Sequence, residues 1–253
     1  MNFKSYANYY DCIYKNKFYK NEIKFVSSVL KFKKNKSYYD YGCGTFEHSI
    51  KLLNKVKKIV GIDSSNSMIK ISLSKIKAIK KARNIQTKVE IYNKNIIDFK
   101  YQEKLDGGYS LFHVFSYLRT NKQIKKFFSN LKKNLKPKAL FFFDYWHLPA
   151  LISQGVKNSE KLFICKKFNI LKIVNTKNIK NNIVEINFEF QIFKKNKLVK
   201  KFKEKHIMRA FGLSEIKNFI EPDFKIIKNY QGFVNKKPSQ KNWNCSTLIM
   251  KSK

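Results

Sequence analysis

The sequence predicts an α/β fold, a largely parallel sheet with helices on both faces and a small antiparallel insertion late in the chain. Three observations carry this. Short apolar strands alternate with amphipathic helical stretches as far as Trp146. A glycine-rich turn, Gly42-Cys43-Gly44, stands where a strand gives way to a helix. Beyond Trp146 the apolar period changes to two, with Val184, Ile186, Phe188, Phe190 and Ile192 alternating with polar residues.

In chain order, Ile23, Phe25, Val26, Val29 and Leu30 recur at helical spacing within 18–32. Residues 37–41 read as a strand running into the glycine turn, and 46–54 as the helix that follows. Residues 58–63 form the second strand, and Ser64 or Ser65 can cap the long helix holding Met68, Ile69, Ile71 and Leu73. Strands at 88–92 and 106–112 follow, then an amphipathic helix at 124–135 ended by Pro137, then a fifth strand at 140–144. Alternation of this kind implies right-handed crossovers and a parallel sheet. The stretches 168–174, 184–192 and 198–208 read as a three-stranded antiparallel insertion within 152–209. A helix at 213–220 and strands at 224–230 and 246–251 close the chain, with an exposed loop expected at 235–242.

Bulk composition narrows the function classes. With 43% hydrophobic residues, 23 Phe and 14 Tyr, the 253-residue chain has ample material for a core, which excludes disorder as a description of the whole. Lys and Arg number 54 against 17 Asp and Glu, a formal charge of +37. Such a charge suits nucleic acid, anionic lipid or a phosphorylated substrate. The lysines, however, fall in every segment, and the arginines are only Arg83, Arg119 and Arg209, although a phosphate-reading surface favours the bidentate arginine fork. The charge therefore reads as compositional drift, with nucleic acid disfavoured as a partner and an anionic small substrate compatible. Cys12, Cys43, Cys165 and Cys245 are widely spaced and suggest neither a metal site nor a disulfide framework. No stretch approaches the roughly 18–20 apolar residues of a membrane span, and the N-terminus lacks an apolar signal core. A soluble, cytoplasmic protein in a reducing compartment is the expectation.

The glycine turn acquires a specific meaning from Asp63, about 20 residues on at the tip of the next strand, where a carboxylate can accept ribose hydroxyls. Asp40-x-Gly42-x-Gly44-Thr45 followed by Gly61-Ile62-Asp63-Ser64-x-x-x-Met68 resembles the first two motifs of class I S-adenosylmethionine-dependent methyltransferases. Tyr10, Tyr14 and Tyr19 are similar to the aromatic N-terminal lid of small-molecule members. Residues 111–118 and 143–150, and the insertion ending in His206-x-x-Arg209, resemble bacterial members from sugar, capsule and lipopolysaccharide pathways.

The resemblance implies a Rossmann-like, seven-stranded methyltransferase sheet. It divides the chain into a lid and cofactor core (1–151), a substrate-covering insertion (152–209) and a closing segment (210–253). It implies S-adenosylmethionine as methyl donor and a small polar acceptor. Gly42 and Gly44 would pass the donor's methionine portion, Asp63 would hold its ribose and Met68 pack on its adenine, with Asp40, Ser64 and Ile96 also counted as cofactor-binding. Asn95, with Asp98 in reserve, would meet the adenine amino group; Phe112 would lie along the amino-acid end and Tyr19 reach its carboxylate. Candidate proton acceptors are His113, then His147, with Tyr117 and His206 nearby; Trp146 would shape the pocket and Arg209 hold an anionic substrate group. No metal is implied. The sequence departs from the family at the third glycine, which is Phe46, a side chain bulky enough to crowd the cofactor. A nucleic-acid methyltransferase is disfavoured by Ser110-Leu111-Phe112-His113, where base-amino methylases carry Asn/Asp-Pro-Pro-Tyr, and by the lack of a Pro-Cys or Thr-Cys pair. A non-catalytic binding protein on the same fold is the other alternative.

Overall fold

A computed structural model describes residues 3–180 and 182–252. Two helices, α1 (Ala7–Ile13) and α2 (Tyr19–Leu30), precede the sheet. The core then alternates β1 (Ser37–Tyr41), α3 (Glu47–Ile50), β2 (Lys58–Asp63), α4 (Asn66–Ala82), β3 (Lys88–Asn93), β4 (Leu105–Ser110), α5 (Asn121–Asn134) and β5 (Leu135–His147). After α6 (Leu148–Gln154) come β6 (Ser159–Ile164), β7 (Asn169–Lys180), β8 (Ile183–Lys194) and β9 (Lys197–Phe211). The helix α7 (Leu213–Ile220) and strands β10 (Phe224–Gln231) and β11 (Asn244–Lys251) complete the chain.

Strands β3-β2-β1-β4-β5 are parallel in that order, and β11 and then β10 continue the sheet antiparallel beyond β5. These seven strands make the expected Rossmann-like sheet. All five residues of β1 are buried, as befits a central parallel strand covered on both faces. One face packs Phe115, Phe127, Phe141 and Phe143 beneath α5 and α7; the other packs Val26, Ile59, Ile69 and Phe142 beneath α2 and α4. Of the two serines offered as caps for α4, Ser65 is the one whose Oγ accepts the Met68 N–H (3.3 Å). Thr120 and Gln123 form a reciprocal capping box at the start of α5. Pro137 does not terminate a helix but lies inside β5, which begins two residues earlier.

The insertion has four antiparallel strands, not three. The additional strand, β6, is an edge strand lying almost wholly in solvent, so no buried face stamped alternation on its sequence. β9 continues past residue 209 and pairs in parallel with Trp146 and His147 of β5, beyond the end of β4, which welds the insertion to the core sheet. A second departure concerns the cysteines. Cys12 at the end of α1 and Cys165 between β6 and β7 are disulfide-bonded, with Cα atoms 6.0 Å apart, although 153 residues separate them. Cys43 and Cys245 are free and buried. No helix among the described residues is long and apolar enough to cross a membrane.

Maleimide treatment of protein denatured without reductant is therefore expected to add two labels, at Cys43 and Cys245. Mass spectrometry showing four additions would refute the Cys12–Cys165 link.

Candidate active site

At the carboxyl ends of β1, β2 and β4 the chain must turn sharply to enter the following elements, and this edge is where parallel sheets form their crevices. Gly42 and Gly44 take positive φ (78° and 51°). A Cβ at Gly42 would lie 2.4 Å from Val114 Cγ2, so this turn fits only glycine. The N–H groups of Gly42 and Cys43 both donate to the Ile62 carbonyl (2.7 and 3.0 Å), pinning the turn to β2. Asp63 Oδ2 accepts the Gly44 N–H (2.9 Å) and Oδ1 the Ser65 N–H (2.8 Å). Each oxygen keeps a second lone pair for an incoming hydroxyl. Burial raises the Asp63 carboxyl, and the two backbone donors pull it back only in part.

The turn opens into a cavity of about 570 Å³ whose walls join two chemically different halves. Gly42, Gly44, Asp63, Ser64, Met68, Asn95, Ile96 and Phe112 line one half. His113, Tyr117, Trp146 and His206 line the other, with Phe188 and Met208 from the insertion. Tyr10 of α1 and Tyr14 just after it close the top, Tyr14 standing edge-on to Phe112 with ring centres 4.9 Å apart. Phe3 and Tyr6 also belong to this roof, a contribution the sequence did not single out.

Phe46 is absent from the wall. Its backbone is left-handed (φ 69°), and its fully buried ring packs into the α2–α4 side of the core, close against Gly61. Gly61 is the feature that makes room: a Cβ there would sit 3.0 Å from the Phe46 ring. The bulky residue in the third-glycine position thus leaves the cradle clear.

Several expected site residues lie outside the cavity. Asp40 points beneath the glycine turn, where Oδ2 accepts the Ser49 hydroxyl (2.6 Å). Desolvation pushes its carboxyl up to about 7 despite that bond. Tyr19 packs on His48 and leaves a buried hydroxyl without a partner among the described residues. Asp98 is exposed and paired with Lys126 (2.5 Å). The His147 side chain is turned toward the backbone of Ser239 and Asn242, while its backbone N–H donates to the Trp243 carbonyl (2.9 Å). Adjacent strand residues face opposite sides of a sheet, so Trp146 and His147 cannot both reach the cavity. Arg209 is spent internally. It pairs with Glu215, donates to the Asn121 side chain (2.9 Å) and the Arg119 carbonyl (3.1 Å), and stacks on Phe211. Arg119 is the arginine found in the cavity wall.

His113 also has a left-handed backbone (φ 61°), held by its N–H donating to Asp144 Oδ1 (2.9 Å). Its Nδ1 lies 3.4 Å from Asp144 Oδ2, and Asp144 is fully buried. Burial lowers His113 to about 4 and raises Asp144 to about 7. His113 is accordingly uncharged at neutral pH and suited to accepting a hydrogen bond more than to keeping a proton. Asp144 had no recognisable signal beyond being the one acid in an aromatic strand. Lys17, equally unmarked, places Nζ 4.5 Å from the Phe112 ring centre and 4.8 Å from that of Tyr19. Among the described residues no cluster of His, Cys, Asp or Glu is arranged to hold a metal ion.

A family model described as a methyltransferase domain matches residues 32–212. A protein named as a methyltransferase in Geobacillus sp. (strain WCH70) is 26% identical over 147 residues, 57% of each chain, so the match spans little more than half of that relative. Among solved structures, an S-adenosylmethionine-dependent methyltransferase from Clostridium acetobutylicum ATCC 824 superposes with a TM-score of 0.80 at 19% identity, over 98% of both chains. An amino pentose methyltransferase from Micromonospora echinaspora, solved with S-adenosylmethionine bound, gives 0.75 at 11% identity over 100% of this chain and 98% of its own. A sugar N-methyltransferase from Streptoalloteichus sp ATCC 53650 gives 0.76 at 14% identity, over 96% and 93%. At these identities the likeness is one of fold.

A carboxyl raised by burial favours folding while it is protonated. For Asp40 that contribution is whole below the unfolded value of 3.8 and is lost as pH rises through about 7. Asp40→Asn is expected to flatten this loss, a difference on the order of a few kcal/mol in denaturant unfolding at neutral pH that vanishes toward pH 4. Parallel pH–stability curves for the two proteins would remove Asp40 as its source.

Proposed function

The chain belongs to the methyltransferase-domain family, and on that premise we propose that it transfers a methyl group from S-adenosylmethionine to the oxygen or nitrogen of a small polar acceptor. The observation that carries the proposal is one continuous cavity, lined both by the glycine and carboxylate turns and by His113, Tyr117, His206 and Trp146. S-adenosylmethionine supplies an electrophilic methyl on a sulfonium. Gly42 and Gly44 let the backbone approach it, Asp63 accepts its ribose hydroxyls, and Asn95 and Met68 meet its adenine. Tyr10, Tyr14 and Phe112 surround the cationic centre with aromatic faces.

Methyl transfer asks mainly for alignment of acceptor, methyl and sulfur. His113, neutral and with its backbone held by Asp144, would align the acceptor through a hydrogen bond. The enclosed, aromatic-roofed chamber suits a small molecule better than a polymer. The Arg119 edge supports an anionic one, in the role first expected of Arg209. The sugar-modifying structural neighbours, with the resemblance of residues 111–118, support a nucleotide-linked or phosphorylated sugar of surface-polysaccharide biosynthesis, which would be a cytoplasmic step.

Calorimetry should show S-adenosylmethionine binding one site per chain; no binding defeats the proposal. A mass-spectrometric screen across nucleotide-linked sugars and related phosphoryl compounds should then show a single methyl gain on the acceptor. His113→Ala is expected to lower turnover about a hundredfold while donor affinity stays within a few fold. An unchanged turnover takes His113 out of the mechanism.

A further inference from the structure

The acceptor chamber contains a line of polar groups that runs from its wall to its roof. The Tyr117 hydroxyl lies 2.6 Å from His206 Nδ1, and His206 Nε2 lies 3.4 Å from Glu204 Oε2. His206 is only 1% exposed, enclosed by the edges of Phe3 (4.9 Å between ring centres) and Phe188 (4.8 Å). Glu204 and His206, two residues apart on β9, share one face of that strand. The Glu204 carboxylate also accepts the backbone N–H of Phe3 at Oε2 (2.7 Å) and of Tyr6 at Oε1 (3.2 Å), at the entry to α1. Burial pushes this carboxyl up, but the bonds from His206 and the two backbone donors prevail and hold it below its ordinary range. Glu204 is therefore ionised at neutral pH and acts only as an acceptor.

An ionised Glu204 selects the histidine tautomer with the proton on Nε2. Nδ1 is then an acceptor, and the Tyr117 hydroxyl must donate to it. The phenol oxygen keeps a lone pair free to receive a further proton. We propose that Tyr117, His206 and Glu204 form a proton relay for the methyl acceptor, with Glu204 held in place by the backbone N–H groups of Phe3 and Tyr6. The inference rests on the methyl-transfer reading above. As the acceptor's oxygen or nitrogen bonds to the methyl carbon, the methyl–sulfur bond breaks and its electron pair stays on sulfur. The acceptor's proton passes to the Tyr117 oxygen, and the proton of Tyr117 passes to His206 Nδ1. The imidazolium so formed is neutralised by Glu204, and the proton later leaves to solvent. Tyr117 is the group that meets the acceptor; Glu204 is a positioning residue acting through His206.

The test is the tautomer of His206 in the whole protein with S-adenosylhomocysteine as probe, read from nitrogen-15 NMR shifts, the four histidines being assigned by single His→Gln variants. The proposal requires Nε2–H at His206 in the wild-type chain; Nδ1–H overturns it, because Tyr117 then has nothing to pass its proton to. Glu204→Gln should mix the tautomers and, with an acceptor from the screen, cut kcat about a hundredfold while leaving donor affinity and acceptor KM within a few fold. Glu204→Asp should recover part of that loss. Equal losses in the two variants, or a loss confined to KM, also overturn the relay. Failure of S-adenosylhomocysteine to bind strikes the methyl-transfer reading, whereas binding with the wrong tautomer strikes the relay alone.

Discussion

The Asp63 carboxylate is the junction on which the site depends. By accepting the Gly44 and Ser65 N–H groups it ties the turn after β1 to the turn after β2. Two parallel strands end side by side with their donors uncapped, and a partly buried carboxylate between them satisfies both ends at once. The rest follows from keeping that junction open to a ligand. Gly42 lets Val114 close in from the turn after β4, and Gly61 lets Phe46 fold away into the core. A bulkier residue at Gly42 would force the turn to move, and one at Gly61 would press on the Phe46 ring.

The same economy governs the roof. The helix α1 is short, with no side-chain cap of its own, and an isolated helix of that length has little stability in water. It is held by what it covers. Tyr6 and Ile13 pack with Ile170, Phe190 and Ile192 of the insertion, Cys12 is bonded to Cys165, and Glu204 receives the backbone donors just ahead of the helix. Roof and insertion are thus one wall, and the polar line through His206 belongs to both. The linkage also shows why a β-meander is worth grafting onto a parallel sheet: it places side chains opposite the cradle where no crossover helix can.

The abundant lysines play little part in this. On β9 they alternate outward, where Lys201 and Lys205 pair with Glu189 and Glu185 of β8. Exposed pairs of this kind add little to stability, because solvent screens them. Lys172 is one exception, its Nζ lying 4.5 Å from the Phe188 ring centre, and Lys251 is another, buried and donating to the Leu135 carbonyl (2.6 Å). The net charge describes the outer faces more than the chamber.

Much of the frame was legible in the residues because its causes are local. The 58–63 strand and the 213–220 helix appear at the predicted bounds, and Gly42, Gly44, Asp63, Met68, Asn95 and Phe112 all reach the cavity. Apolar period, turn chemistry and strand-tip spacing are written within a few residues of one another. Only the tertiary structure decided what depends on facing and on distant partners. It turned His147 and Arg209 out of the chamber, brought Glu204 in behind His206, hid Phe46, and joined Cys12 to Cys165. The physical reason is common to all of these. A residue's type and local pattern state what it can bond to, but its partner is selected by packing between segments up to 201 residues apart, as for Phe3 and Glu204.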